Sequence, residues 1–399
     1  MMHLFLFDVD SVLVEAHGYL RALQDTVSHF SRRMGVGDHP PTREQVLTFE
    51  ANGLGCEWDS GAMCIAALLI ERVRLEPSRP LPTGWPDTLS ALGARPHPLP
   101  HPDYGALARR IGARREGQTP ITRIVRAALW ENVEATLNGQ EATLSALLDT
   151  LLGCTHDFYR APMTRYFQHL VIGSQGVAET YGIDPDLSSA AYIHKYDRPL
   201  LDVPTRARLH KATLREQVRV AVYTGRPSLP PVEVARDSAG QPAAGYSPEA
   251  EMARMLVGLE AHPLIGMGKM GWLAERVGED VERLIKPSPV QALAAIGAAR
   301  SGRERDALEA AWALHREGEL LQPLADLGPV TVHVFEDEMG GLQGIETGIA
   351  LLQAAGVDAA WRAYGIAPGG SPKAAALAAR GVPISSSVNE AITAVLDRI

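Results

Sequence analysis

Two aspartates one residue apart, Asp8 and Asp10, end the short apolar run of "HLFLFDVDSVLV". Like charges this close repel, and a carboxylate removed from water is costly. A hard divalent cation with oxygen ligands is the usual means of offsetting that cost. Two more apolar runs end in residues capable of chemistry. "VRVAVYTGRPS" starts at Val218 and breaks at Thr224-Gly225, and "VTVHVFEDEMGG" starts at Val330 and breaks at Glu336-Asp337. A fourth stretch, "RLIKPSP", sets Lys286 before Pro287. Singly, an aspartate at a strand end is a common turn former, and the lysine reads as an exposed residue before a helix start. Together they offer a hydroxyl, an ammonium and several carboxylates at strand ends. Ligands bind at the carboxyl ends of the strands of an open parallel sheet.

The elements that must carry these groups follow from periodicity. "HLFLF" (3–7) and the runs from Val218 and Val330 are short, apolar and stopped by polar residues, as buried strands are; "AAWRAYG" (359–365) is a weaker fourth. Helical periodicity lies between them over 203–217, 247–259, 341–356 and 387–399. Strand–helix alternation over 200–399 predicts an α/β fold with a parallel sheet covered on both faces. Residues 16–200 differ: helical stretches at 18–34, 121–153 and 162–181, a proline-rich loop across 76–105, and no strand series. The economical arrangement is a helical domain inserted into an α/β core.

Composition bounds the partners. The chain has 399 residues, 46% hydrophobic and 21% charged, with a formal net charge of −9. That suits a globular protein with a substantial core and argues against a nucleic-acid partner. "ARRIGARRE" (108–116), the densest basic stretch, reads as a solvated helix face. Three cysteines, Cys56, Cys64 and Cys154, form no C-x-x-C pair, which fits free thiols in a reducing compartment. The N-terminal apolar run is too short for a signal peptide or a membrane span, so the expectation is a cytoplasmic protein without a membrane partner.

In their order — D-x-D, a strand ending in threonine, a lysine before proline, an acidic strand end — the four stretches resemble the haloacid dehalogenase-like hydrolase superfamily. "VAVYTGRPS" and "IKPSP" look like its second and third motifs. The helical block sits where one branch of that superfamily inserts a helical cap, and "GYLRALQDTVSHF", "ANGLGCEWDSG" and "HKYDRPLL" are similar to segments of such hydrolases. The resemblance implies a Rossmann-like parallel-sheet core over 1–15 and 200–399 with a cap over 16–199. It implies a phosphatase that forms an aspartyl-phosphate on Asp8. Asp10 would be the general acid and then the base. Thr224, Gly225 and Lys286 would hold the phosphoryl group. Asp8, the backbone carbonyl of Asp10 and Asp337 would ligate Mg2+. A cap leaves little room for a protein substrate, which points to a small phosphorylated metabolite.

The chain departs from that pattern twice. Ser11 stands where glycine is usual, and a serine there fits a backbone with negative φ. Gly341 stands where a second acid is usual, and Glu336 or Glu338 would have to hold a metal-bound water in its place. A phosphomutase would use the same aspartates, whereas a dehalogenase needs neither Asp10 nor magnesium. A chain that keeps the fold and binds a ligand or partner without turnover is the remaining alternative. Other motifs read blandly. His97 and His101 lie in a proline-broken loop, not on a helix that could bind zinc. "GMGKMG" (266–271) follows no clear strand and reads as a turn. Cys56 and Cys64, with no histidine nearby in sequence, read as core residues. Trp58 and Asp59 could line the cap's face, with packing the simpler account of Trp58.

Overall fold

A computed structural model describes residues 2–115, 119–131, 133, 139–237 and 245–399. The chain divides into two compact units, Met1–Ala16 with Tyr196–Ile399, and His17–Lys195. The sequence placed these boundaries at 15/16 and 199/200. The second falls earlier because β2 (Val14–Glu15) pairs antiparallel with β3 (Arg198–Pro199), which ties 198–199 to the first unit.

The first unit is an α/β core built on six parallel strands in the order β5-β4-β1-β6-β7-β8. These are β1 (Met2–Phe7), β4 (Val218–Tyr223), β5 (Leu264–Ile265), β6 (Val330–Glu336), β7 (Ala359–Ile366) and β8 (Ile384–Ser385). Side chains alternate across the sheet, and both faces are apolar, as a parallel sheet covered twice requires. Leu4, Leu6, Val332 and Val334 pack on one face with Leu293, Leu308 and Ile345 from the helices Pro289–Ser301, Glu304–Glu317 and Met339–Ala354. Phe5, Phe7, Val220 and Phe335 pack on the other with Leu209, Ala253 and Ile392 from the helices Val203–Leu214, Glu249–Leu256 and Val388–Leu396. "GMGKMG" is not a lone turn. It follows β5, and Gly266 opens the helix Met267–Val277; a Cβ at Gly268 would fall 1.9 Å from the Ser228 carbonyl oxygen.

Among its described residues the second unit has helices joined by loops and no strand. Its longest helices are Gly18–Arg33 and Glu57–Arg74, the latter carrying a buried run from Trp58 to Ala66. The expected long helix over 162–181 is two, Pro162–Val171 and Gly173–Tyr181, broken where Gly173 takes φ +75°. The proline-rich 76–105 segment contains a helix, Trp85–Gly93, because Pro86 sits in the first turn, where proline needs no hydrogen-bond partner.

Candidate active site

Strand register explains why residues far apart in sequence meet. In β1, Phe7 lies opposite Val222 of β4 and Phe335 of β6. The next residue of each strand end is then Asp8, Tyr223 and Glu336, with Thr224 and Asp337 one step further. Asp8 N–H donates to the Phe335 carbonyl at 3.1 Å, which fixes the turn out of β1. Carboxylate oxygens of Asp8, Glu336 and Asp337, all buried, lie within 4.8 Å of one another.

Two ammonium groups enter this cluster. Lys286 Nζ is 2.9 Å from Asp8 Oδ1 and 2.5 Å from Glu336 Oε1, and stands 4.0 Å above the Tyr223 ring. Its two carboxylates hold the amine above its ordinary range against the opposing effect of burial. Lys373, from the helix Pro372–Ala379, reaches Asp337 Oδ2 at 2.5 Å and Glu338 Oε1 at 2.8 Å. No sequence motif marked Lys373; it reaches the site from a helix beyond β7.

Three carboxylates against two ammoniums leave the site over-charged. Burial, with Glu336 and Asp10 nearby, pushes Asp8 up to about 7 against the pull of Lys286. Burial likewise pushes Asp337 up to about 6, opposed by Lys373.

Glu336 is satisfied already. Oε1 accepts from Lys286 and from the Tyr223 hydroxyl at 2.9 Å, and Oε2 accepts from the backbone N–H groups of Asp337 and Glu338. Four donors fill a carboxylate's capacity. Glu336 is thus the anchor of Lys286 and of the helix that follows. Among the described residues no donor is bonded to Asp8 Oδ2 or to Asp337 Oδ1. Two free oxygens on buried, partly neutralised carboxylates fit a hard divalent cation.

The absent acid at 341 has its explanation here. A Cβ at Gly341 would lie 1.7 Å from Glu336 Oε1, so the carboxylate occupies the volume a side chain would need. Of the two acids proposed to replace it, Glu336 is buried in the site. Glu338 is exposed and pairs with Lys373. The expectation for Ser11 is corrected: its φ is +63°, in the left-handed region that favours glycine. A serine there is strained, and the turn Val9–Val14 holds it through Leu13 and Val14 N–H bonds to the Val9 carbonyl and the Ser11 N–H bond to Val14.

Asp10's carboxylate is not in the cluster. Arg226 grips it through Nε at 3.0 Å and Nη2 at 2.6 Å, and the same guanidinium reaches the buried Asp197 at 3.3 Å. This fork fixes Asp10's orientation. Arg226 lies two residues past Thr224 in "YTGRPS", a motif whose arginine the sequence reading passed over. Thr224 is buried, its Oγ1 accepting from Arg226 N–H at 3.2 Å. Gly225 faces open space, with no atom within 4 Å of where a Cβ would stand. Gln291 joins the loops: its amide donates to the Thr224 and Ile265 carbonyls at 2.9 and 3.2 Å, and its Oε1 accepts from Lys286 N–H at 3.0 Å.

No family model and no curated protein sequence matches the chain. Two solved structures are similar to it. One is the X-ray structure of a target of the Northeast structural-genomics consortium, 16% identical, with a TM-score of 0.62 over 99% of this chain and 98% of that one. The other, a phosphatase from Thermococcus thioreducens, is 14% identical with a TM-score of 0.46, covering 99% of each chain. The first likeness shows a shared fold across both units.

Proposed function

We propose that the chain is a Mg2+-dependent phosphatase of the haloacid dehalogenase type, acting on a small phosphorylated metabolite. The observation that carries this reading is Asp8, with Lys286 at 2.9 Å and the Asp337 carboxylate within 4.8 Å, at the carboxyl end of a parallel sheet. Mg2+, when bound, would neutralise charge between carboxylate and phosphate; Asp8 and Asp337 would hold it through their free oxygens, with the Asp10 carbonyl. Asp8 attacks phosphorus and the ester oxygen leaves, taking its proton from Asp10. Asp10 then takes a proton from water, which attacks phosphorus and releases Asp8. Arg226 fixes the Asp10 carboxylate, and the fork must free one of its two oxygens for Asp10 to carry the proton in either transfer. Lys286, Thr224 and Gly225 bind the phosphoryl oxygens, each charged or polar donor contributing on the order of 3 kcal/mol in the transition state. His17–Lys195 serves as the cap.

The test is hydrolysis of p-nitrophenyl phosphate and a panel of phosphometabolites with Mg2+, wild type against Asp8→Asn. Wild type is expected to turn over at least one ester, and Asp8→Asn to lose about 10³-fold or more. Equal turnover in the two proteins would overturn the assignment. Binding of an ester without turnover would favour the ligand-binding alternative, which the Lys373 ammonium on Asp337 also suits.

A further inference from the structure

We infer that the helical unit carries a second metal site, for zinc or a similar borderline-soft divalent ion, made by Cys56, Asp59 and His156. The histidine missing from the sequence neighbourhood of Cys56 arrives from 100 residues away. Its Nε2 lies 3.8 Å from Cys56 Sγ and 3.3 Å from Asp59 Oδ1, and the three ligand atoms fall within 4.8 Å of one another. Around a four-coordinate zinc with sulfur at about 2.3 Å and nitrogen or oxygen at about 2.0–2.1 Å, tetrahedral angles set sulfur and nitrogen about 3.6 Å apart and nitrogen and oxygen about 3.4 Å apart. The sulfur–nitrogen separation of 3.8 Å and the nitrogen–oxygen separation of 3.3 Å lie close to two edges of that tetrahedron, and the sulfur–oxygen separation is under 4.8 Å.

Local structure builds the site. Cys56 is the N-cap of the helix Glu57–Arg74, and Asp59 lies in its first turn, so one helix end presents both thiol and carboxylate. Asp59 is only 7% exposed, and among the described residues no lysine or arginine pairs with it. Thr155 donates to Asp59 Oδ1 at 2.5 Å, and Thr164 in turn donates to the Thr155 carbonyl at 2.5 Å. The Trp58 ring meets the His156 imidazole edge-on, centroids 5.2 Å apart at 87°. Such outer contacts orient ligands in metal centres. His156 is half-exposed, which leaves the fourth position open to water. A thiolate with an imidazole selects zinc or cobalt over magnesium, the ion assigned to the all-oxygen site.

The experiment is titration of the full-length protein with Co2+, read by the thiolate-to-cobalt charge-transfer band, and competition of that band by Zn2+. One Co2+ per chain with the band is expected, and it should persist in Cys154→Ser and Asp337→Asn. Cys56→Ser should remove the band, and His156→Gln should weaken binding at least tenfold. Thr155→Val should weaken it by about 10-fold, as loss of an outer-shell partner does. Should a ligand variant fail to fold, wild-type protein suffices: Zn2+ should slow alkylation of Cys56 and leave that of Cys154 unchanged. Absence of the band in wild type, its survival in Cys56→Ser, unchanged affinity in His156→Gln, or alkylation of Cys56 indifferent to Zn2+ would each overturn the inference.

Discussion

Glu336 and Gly341 are one feature split between two positions. The acid expected at 341 would hang from the first turn of Met339–Ala354; here the carboxylate comes from the end of β6 and fills the space above Gly341. Alanine for glycine in a helix normally gains about 1 kcal/mol. At 341 the Cβ would displace a carboxylate bonded to Lys286, Tyr223 and two backbone N–H groups. Gly341→Ala should therefore destabilise the protein by about 1–3 kcal/mol, the range for forced overpacking. In a Glu336→Ala background the same change should be neutral or stabilising, as read by denaturant unfolding of the four proteins. A single mutant as stable as wild type would show that the carboxylate moves freely. Asp8, Thr224, Lys286 and Asp337 were legible because each ends an apolar run or precedes a proline. The choice between Glu336 and Glu338 was not, because it turns on which way each side chain points at a strand end. The histidine beside Cys56 was hidden for a related reason: linear distance says nothing about a side chain brought in by the loop after the helix Glu141–Leu152.

Between β1 and β6 a pair of histidines interrupts the apolar pattern without interrupting the sheet. His3 pairs in register with Thr331, two residues before His333, so the two imidazoles meet diagonally on one face, Nδ1 to Nε2 at 3.1 Å, and His333 Nδ1 meets the Tyr364 hydroxyl at 3.2 Å. Burial first, then His3 and Arg362, lowers His333 to about 4. The unfolded chain binds that proton near 6.5, before the native state does, so this contribution is whole above pH 6.5 and is lost as pH falls toward 4. At about 1.4 kcal/mol per unit the loss is on the order of 3 kcal/mol. His333→Gln keeps a hydrogen-bonding group without titrating, and should flatten unfolding stability between pH 6.5 and 4; an unchanged slope would place the acid sensitivity elsewhere. The long strands were visible in sequence because they are apolar and end abruptly. β5 and β8, two residues each, were too short to show a pattern. The helix Pro289–Ser301 escaped for the opposite reason. It is buried from Val290 to Ala299, so it has no polar face to reveal a helical period.

At the scale of the molecule, among the described residues each compact unit holds one cluster of metal-type ligands, oxygen-only in the α/β core and sulfur-bearing in the helical unit. The two should answer to different ions and to different mutations. In the core, Asp8 at about 7 and Asp337 at about 6 keep protons that the unfolded chain releases near 4. Raised carboxyl values mean that the metal-free native state loses stability as pH climbs from about 4 to about 7. A divalent cation at the same oxygens competes with those protons, so its stabilisation must grow over the same window. Mg2+ at a hundredfold excess over its dissociation constant adds about 2.7 kcal/mol. The rise in melting temperature on adding a fixed Mg2+ concentration should accordingly be larger at pH 8 than at pH 5. Asp337→Asn should abolish it, and Cys56→Ser should leave it intact. An equal Mg2+ shift at both pH values, or one that survives Asp337→Asn, would mean that the ion binds away from Asp8 and Asp337, and phosphoryl transfer at this strand edge would have to be abandoned with it.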